Sequence, residues 1–339
     1  MTKLITINSS EWAKIPFIDS KNIGGRILTT SIFFEQKEWQ MWLPVPPEPA
    51  KLIRIQGQPV EANYFARERE KDTDIYMDFL NFIAQCACWP ETIKFINSIE
   101  DDIHNLGASL GKLELFYHSS KTNPKSDFTR FVSTEIEYIF GVCRSLFDLL
   151  QEIIATLWHR IELDDKSIKK RHLPESFREM VLRNEQLMKS SEIQEKFRVP
   201  TELAAFYHRN GPFFKILRQY RDNVMHRSAD FKFIYVTEKG FAVNANVEPF
   251  ALFGVWNEEH MLPNRLASLR PAIAHVITET FRACEDFSQT IQHTIHFPPD
   301  IVPGFKLFLR GYHNQQLLAM QDILKNCSWW NEHNSTTLE

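Results

Sequence analysis

The chain has 339 residues, of which 43% are hydrophobic and 24% charged, and its net charge at pH 7 is −4. These values are typical of a globular protein with one large core or two smaller ones, and the acidic balance argues against nucleic-acid binding through bulk positive charge. No stretch approaches the roughly eighteen apolar residues of a membrane span, and the N-terminus has no long apolar signal region. We therefore expect a cytoplasmic protein.

Cysteine and histidine spacing predicts neither a metal site nor a cofactor. Cys86 and Cys88 form the one close cysteine pair, and a single intervening residue does not match a zinc knuckle. His293 and His296 lie one helical turn apart, but no cysteine or carboxylate accompanies them at a supporting spacing. We expect reduced thiols and two surface histidines.

The N-terminal third of the chain changes from strand-like to helical patterns. Residues 27–34 and 39–45 are short β-like runs, whereas apolar residues recur at helical spacing through residues 73–118. Residues 1–120 are therefore predicted to form an N-terminal α/β extension with short strands and helices.

A long helix is predicted after a polar linker at residues 121–126. Apolar side chains recur every three or four positions through residues 132–161, which corresponds to a helix of about thirty residues and some 45 Å. On this helix, Arg144, Asp148 and Glu152 follow at four-residue steps and share one face. They form either an ion-pair ladder or a set of groups that supports a site on a neighbouring helix.

The charge is unevenly distributed along the chain. Residues 160–230 contain 15 Lys and Arg against 11 Asp and Glu, whereas residues 35–102 contain 7 against 13. Within the first of these regions, Lys166, Lys169, Lys170 and Arg171 cluster in a predicted loop. The cluster is interpreted either as a surface that follows an RNA backbone with salt-sensitive affinity, or as a solvated loop.

A second helix is predicted to begin at Pro212, because Asn210 and Gly211 resemble a helix stop and proline suits a first helical position. Its apolar stripe consists of Phe213, Leu217, Tyr220 and Val224. Two runs that follow, residues 231–236 and 241–247, flank a turn and predict an inserted β-hairpin.

The late part of this helix contains the sequence Arg-Asp-Asn-Val-Met-His, residues 221–226. Five helical positions rotate His226 by about 140° from Arg221. The two side chains could meet at one phosphate if the helix ends near His226, or if a second copy of the helix packs alongside and each subunit contributes part of the site.

An arginine, a polar residue and a histidine after four intervening positions, late in a helical bundle, resemble the signature of the HEPN superfamily. The resemblance covers roughly residues 126–297 and rests on this motif and the helix order. It implies a mainly α fold of the all-α type. Residues 121–339 would form the HEPN-like helical bundle. It also implies a metal-independent endoribonuclease that acts as a homodimer with a composite site.

A second match to the motif serves as an internal control. Arg270 and His275 have the same spacing, but Arg270 is followed by Pro271, which is typical of a helix start, and not by a polar residue. We therefore predict that His275 lies on the flank of a packed helix.

The chemistry of the motif assigns roles to its residues. The ordinary pKa of histidine, near neutral, suits His226 to proton transfer, and the planar donors of Arg221 suit it to binding phosphate and stabilising the transition state. The resemblance assigns Asp222 an orienting role. The residues predicted to bind the substrate are Asn223, Arg227, Lys169, Lys170 and Arg171.

The resemblance implies RNA as substrate, a toxin or antiphage defence role, and an antitoxin or regulatory partner; no membrane association is expected. Three alternatives remain. The motif could be a salt-bridged helix end. The protein could be a non-catalytic helical module that binds RNA, a nucleotide or a protein partner, or a structural dimerisation protein with a vestigial site.

Overall fold

A computed structural model describes residues 7, 9–45, 51–123, 127–227 and 234–326, with side chains except at residues 221–227 and 326. Within these ranges the α-helices are α1 (Ser9–Trp12), α2 (Asp78–Cys86), α3 (Ile93–Thr122), α4 (Phe128–Leu157), α5 (Phe177–Val181), α6 (Ser190–Phe197), α7 (Thr201–Arg227), α8 (Leu269–Thr294), α9 (Asn314–Leu318) and α10 (Met320–Asn326).

The β-strands in the described ranges are β1 (Ile32–Glu35), β2 (Glu38–Val45), β3 (Lys51–Ile55), β4 (Ala62–Ala66), β5 (Ile75–Tyr76), β6 (Glu162–Leu163), β7 (Leu182–Arg183), β8 (Gln186–Leu187), β9 (Tyr235–Thr237), β10 (Gly240–Asn244), β11 (Leu266–Ser268), β12 (Ile295–His296) and β13 (Lys306–Arg310). No helix in this part of the chain has the length and apolar character that a membrane crossing requires.

The predicted fold class, mainly α with a helical bundle that contains an inserted β-hairpin, is wrong, and so is the description all-α. The fold is α/β, with 51% helix and 17% strand, and its largest sheet has six strands in the order β3-β2-β1-β4-β13-β5. The error arises at β13, which was included in the helical domain but pairs antiparallel with β4 and β5. Its five residues are too short for a clear periodic signal, and both partners are more than 200 residues away.

The chain folds into two compact units, each built from three segments. Unit 1 contains Met1–Asp101, Leu149–His208 and Glu285–Asn314; unit 2 contains Asp102–Asp148, Arg209–Cys284 and Gln315–Glu339. The domain boundary predicted at residue 120 stays a prediction.

Unit 1 is centred on the six-stranded sheet. β1 pairs parallel with β4, while the other pairs are antiparallel. Phe33, Phe65 and Tyr64 are fully buried, and the rings of Phe33 and Phe65 stack at 5.9 Å between centroids. Aromatic side chains on a pleated sheet bury large apolar areas, which explains why this unit uses so many phenylalanines.

A buried network of ion pairs and hydrogen bonds links β13, β4 and the segment that precedes β5. Arg310 on β13, with only 4% of its side chain exposed, donates from Nε to Asp74 Oδ1 at 3.1 Å and from Nη2 to Asp74 Oδ2 at 2.7 Å. It also pairs with Glu70. Tyr64 donates its hydroxyl to Asp74 at 2.7 Å, and burial raises its pKa. The guanidinium of Arg310 lies 4.6 Å from the ring centroid of Trp39.

Unit 2 contains parts of the four long helices. Each contacts two of the others, so that the four form a closed ring. Contacts between α3 and α4 join Lys112 to Glu135 (3.1 Å) and Phe116 to Phe131 (5.7 Å between ring centroids). As residue numbers rise on one helix they fall on the other, so these two helices are antiparallel.

Helices α7 and α8 complete the ring in unit 2. The Tyr220 ring stacks on Phe140 at 3.9 Å and Phe214 contacts Phe147 at 5.7 Å between centroids, so α7 runs antiparallel to α4. Helix α8 contacts α7 and α3 through the pairs His275–Phe213 and Arg270–Glu114.

The long helix predicted at residues 132–161 is confirmed as α4, which begins four residues earlier. The start predicted at Pro212 is wrong, because α7 runs through it. Proline removes one backbone hydrogen bond and normally kinks a helix. Buried Tyr207 before it and buried Phe214 and Leu217 after it offer packing that offsets this loss.

The predicted β-hairpin is confirmed in the described residues. β9 and β10 pair antiparallel around Thr237 and Gly240, and β11 adds a third strand. The turn is fixed from unit 2 itself, because the hydroxyl of Tyr117 donates to the carbonyl of Glu238 at 2.5 Å. Residues 231–233 of the predicted first strand lie outside the described residues.

We predict that Arg310→Leu lowers the free energy of unfolding by about 3–5 kcal/mol, because it leaves Asp74 buried without its cation. The shift of the urea midpoint measures this. Arg178→Leu is the control: its ion pair with Glu185 is exposed, and its loss should cost at most about 1 kcal/mol. Equal losses in the two variants would show that the buried network contributes no more to the free energy of unfolding than the exposed ion pair.

Glu100 on α3 provides a pH-dependent test of the core of unit 1. Burial raises its pKa to about 7, with a hydrogen bond from Asn63 partly opposing this effect and the charge of Asp101 contributing to it. The folded protein therefore holds a proton that the unfolded chain releases near pH 4.5. Between these two pH values stability falls as pH rises, by at most about 1.4 kcal/mol per pH unit.

We predict that Glu100→Gln removes this slope. Urea unfolding of both proteins at pH 5, 6, 7 and 8 measures the difference in stability between them. The wild-type protein should lose stability relative to the variant as pH rises, and a constant difference would show that Glu100 ionises equally in both states.

Candidate functional site

The motif occupies the last two turns of α7. The backbone is helical through Arg227, so positions 221 and 226 differ by about 140° around the helix axis. The side chains of Arg221, Asp222, Asn223, His226 and Arg227 lie outside the described residues, and their assigned roles stay predictions.

The side chains that precede the motif anchor its helix in unit 2. Tyr220 is buried against Phe140, and burial followed by the negative charge of Glu137 raises its pKa well above the ordinary value. Because α7 is antiparallel to α4, its next two turns follow α4 from Phe140 toward Glu137 and Glu135. The motif is therefore expected to continue along an acidic stretch of α4.

One acid of α4 near the start of the motif was missed by sequence reasoning: Glu137, which is half-buried and acts on Tyr220. Its neighbour Glu135 is buried and pairs with Lys112 on α3 at 3.1 Å. Sequence spacing gave no sign of the effect of Glu137, because its proximity to α7 depends on how the two helices pack.

The ladder predicted on α4 is confirmed for its first step. Arg144 Nη2 lies 2.9 Å from Asp148 Oδ2, and each side chain is 22% exposed. The two residues therefore form an i,i+4 ion pair on one helix face.

The second motif match behaves as the internal control predicts. Arg270 lies 4.0 Å from Glu114, while the ring of His275 packs 5.1 Å from Phe253 and 6.2 Å from Phe213. Burial lowers the pKa of His275. Arg270 and His275 are thus held by different neighbours, and the histidine lies on the flank of a packed helix.

The structure assigns separate tasks to the predicted basic cluster. Lys170 donates from Nζ to the carbonyls of Trp158 and Ile161 at 2.5 and 2.6 Å, which caps the C-terminal end of α4. Burial lowers its pKa. Arg171 donates to the carbonyl of Lys196 at 3.1 Å. Lys169 is exposed.

A pocket of about 440 Å³ lies beside this cap in unit 1. Its lining includes Lys170, Arg171, His159 and His172. Trp158 also lines it, and the indole Nε1 is buried with no hydrogen-bond partner within the described part of the chain. The pocket therefore joins two of the predicted substrate-binding cations to two histidines, which suits an anion.

Within the described residues, no set of three or more His, Cys, Asp or Glu side chains is placed to hold a metal ion. Among the described cysteines, the buried thiols of Cys86, Cys88, Cys143 and Cys284 form no disulfide bond. Burial raises the pKa of Cys88 and of Cys143 to about 12, so neither is a reactive thiolate at neutral pH.

Comparison of the chain with protein-family models, with curated proteins and with solved structures finds no match. The resemblance to HEPN proteins therefore rests on the motif and the helix order.

We predict that Lys170→Met and Lys169→Met separate the structural from the ligand-binding role of the basic cluster. Lys170→Met should lower the free energy of unfolding by about 1–2 kcal/mol, because two carbonyls lose a charged donor. Lys169→Met should change it by less than about 0.5 kcal/mol. Urea unfolding measures both, and equal values would contradict the capping role of Lys170.

Proposed function

We propose that the protein is a metal-independent endoribonuclease whose site is built on Arg221 and His226. The observation that supports this most directly is the position of the motif in the last two turns of α7, within a unit that contains parts of four long, mutually contacting helices. A site on packed helices holds its residues in place more precisely than a site on a loop.

The proposed reaction uses the 2′-hydroxyl of the RNA as nucleophile. His226 accepts the hydroxyl proton while the 2′-oxygen forms a bond to phosphorus. The bond from phosphorus to the 5′-oxygen breaks, and that oxygen takes up a proton, supplied by a protonated histidine or by water. The products are a 2′,3′-cyclic phosphate and a 5′-hydroxyl.

The other residues of the proposed site bind and orient. Arg221 offers paired donors to the phosphate oxygens, whose negative charge increases in the transition state. Asp222 orients the imidazole or the attacking hydroxyl. Contacts to the RNA chain beside the motif are assigned to Asn223 and Arg227. Lys169, Lys170 and Arg171 of unit 1 are proposed as a separate RNA-contacting surface, in which Lys170 adds charge while it caps α4.

We infer that two copies of the chain share the site. The helical backbone separates positions 221 and 226 by about 140°, so one copy of α7 directs them toward different sides. A second copy would bring its own histidine to the arginine of the first. Proteins commonly form symmetric dimers in which the same surface meets itself.

A non-catalytic role is favoured by one specific observation, the negative charge of Glu137 near Tyr220, the residue that precedes the motif. Glu137 would offer Arg221 a partner within the fold, and the motif would then be a salt-bridged helix end. The helical module would bind RNA, a nucleotide or a protein partner without cleaving RNA.

The catalytic proposal predicts that Arg221→Ala and His226→Ala each reduce RNA cleavage at least about a hundredfold, the usual range for a lost acid–base or charge-stabilising group. Cleavage of a mixed-sequence RNA in excess EDTA measures this. Arg270→Gln and His275→Gln have the same spacing and should retain activity close to that of the wild-type protein.

Loss of cleavage in the Arg270 and His275 variants, with cleavage retained in the Arg221 and His226 variants, would contradict the assignment. No cleavage by the wild-type protein, together with unchanged RNA binding in all variants, would favour the non-catalytic module.

The shared site predicts complementation between inactive variants. Mixing Arg221→Ala with His226→Ala creates mixed dimers in which one site holds an intact arginine from one copy and an intact histidine from the other. Cleavage should therefore return to a fraction of the wild-type rate after subunit exchange. A mixture as inactive as its components would contradict a site shared in this way.

The proposed biological setting is a toxin or antiphage effector in the cytoplasm, with a regulatory partner that restrains cleavage. A nuclease without an obvious sequence preference would damage the cell's own RNA, so restraint would be required.

A further inference from the structure

A second pocket of about 720 Å³ lies in unit 1, at the turn between β1 and β2. This is within the range of pockets that hold small ligands. Its lining includes the side chains of Phe34, Lys37, Trp39, Arg67, Glu68 and Arg69.

One wall of this pocket is aromatic and fixed from behind. The rings of Phe34 and Trp39 lie 5.0 Å apart, and Trp39 packs against Tyr64 at 4.8 Å. The guanidinium of Arg310 lies 4.6 Å from the Trp39 centroid. Arg310 also lies 5.5 Å from the Tyr64 ring centroid, so the Trp39 ring is held by a buried tyrosine and a buried cation that contact each other, and a flat ligand ring would meet a preformed surface.

The guanidinium of Arg310 has one hydrogen-bond donor without a partner among the described residues. Its Nη1 is buried without a hydrogen-bond partner among the described residues, although the rest of its guanidinium is paired with Asp74 and Glu70. Glu70 also lines the pocket. A buried N–H without a partner is uncommon in folded proteins.

Arg67 is held ready to bind an anion. Its Nε donates to Glu35 Oε1 at 3.2 Å, and its guanidinium lies 4.8 Å from the ring centroid of Phe305. A side chain at Gly304 would come within 3.2 Å of Arg67 Nη1, so the glycine leaves room for this position. The side chain is 59% exposed, and its two terminal nitrogens can bind an oxyanion in a bidentate manner.

The rim of the pocket contains a strained turn. Gln36 and Lys37 have positive φ angles of 52° and 65°, in the two-residue loop between the paired residues Glu35 and Glu38. Such turns strongly favour asparagine and glycine, and positive φ at other residues costs on the order of 1 kcal/mol each. This turn places Lys37 at the pocket, on the same lining as Arg67.

We propose that this pocket binds a nucleoside monophosphate. The base would stack against the Phe34–Trp39 wall, and the phosphate would bind Arg67, with Lys37 and Arg69 nearby. Glu68 and Gln58, which also line the pocket, offer acceptors and donors to sugar hydroxyls or the base edge. The lining also contains the carboxylates Glu35, Glu68 and Glu70. Glu35 pairs with Arg67, Glu70 with Arg310, and Arg69 with Asp72 outside the lining. A phosphate dianion can bind Arg67 and Lys37 together, whereas Arg67 alone would satisfy a single carboxylate.

This binding site is separate from the proposed ribonuclease residues, and its test does not require RNA cleavage. Isothermal titration calorimetry of the full chain would compare AMP, GMP, CMP and UMP with adenosine, inorganic phosphate and indole-3-acetate. At least one nucleotide should bind with a dissociation constant below about 1 mM, at least about tenfold tighter than adenosine or phosphate.

Variants then test which residues bind the phosphate. Arg67→Gln should weaken nucleotide binding by about tenfold or more, Arg67→Lys should restore only part of it because the forked donors are lost, and Lys37→Gln should weaken it less. Arg178→Gln, an exposed arginine of unit 1, is the matched control and should leave binding unchanged.

Two results would overturn the proposal. No nucleotide binding below about 1 mM by the wild-type protein would exclude it, as would nucleotide binding that Arg67→Gln and Lys37→Gln leave unchanged. Tighter binding of indole-3-acetate than of every nucleotide would instead define an aromatic carboxylate site.

Discussion

The pairing of β13 with β4 is the constraint on which the architecture of unit 1 depends. It brings a strand from near residue 310 between β4 and β5, which lie before residue 80. Arg310 enters the protein interior with this strand, and a buried guanidinium is tolerated only where carboxylates and hydrogen bonds compensate it. Asp74, Glu70 and Tyr64 supply that compensation. The same cation supports Trp39 and so forms the back of the nucleotide pocket that we propose.

Local patterns in the sequence predicted the local elements well. The apolar spacing of α4 and the turn between β9 and β10 depend on residues close together in the chain, and both are present. The mixed sheet was missed because its strands are short and their partners are distant. Pro212 was misassigned for a related reason: its helix-breaking tendency is local, whereas the burial of Tyr207 and Phe214 on either side is set by tertiary packing.

The candidate sites show the same division. Sequence alone located the motif and predicted that it lies late in a helix, but the effect of Glu137 on Tyr220, the residue before the motif, emerges only from the antiparallel packing of α4 and α7. Lys170 counted as one charge in a basic loop, whereas its two hydrogen bonds to carbonyls make it a helix cap. The pocket at Arg67 draws on positions from 34 to 70 whose common location depends on the sheet.

The central claim is that Arg221 and His226 catalyse cleavage through the 2′-hydroxyl of RNA. Mass spectrometry of the 3′ ends released from a defined RNA in excess EDTA tests this most directly. The account predicts 2′,3′-cyclic phosphate ends that are absent when a 2′-deoxy nucleotide replaces the cleaved one. Fragments with 3′-hydroxyl and 5′-phosphate ends, or unchanged cleavage at the deoxy position, would contradict it, because both require water as the nucleophile.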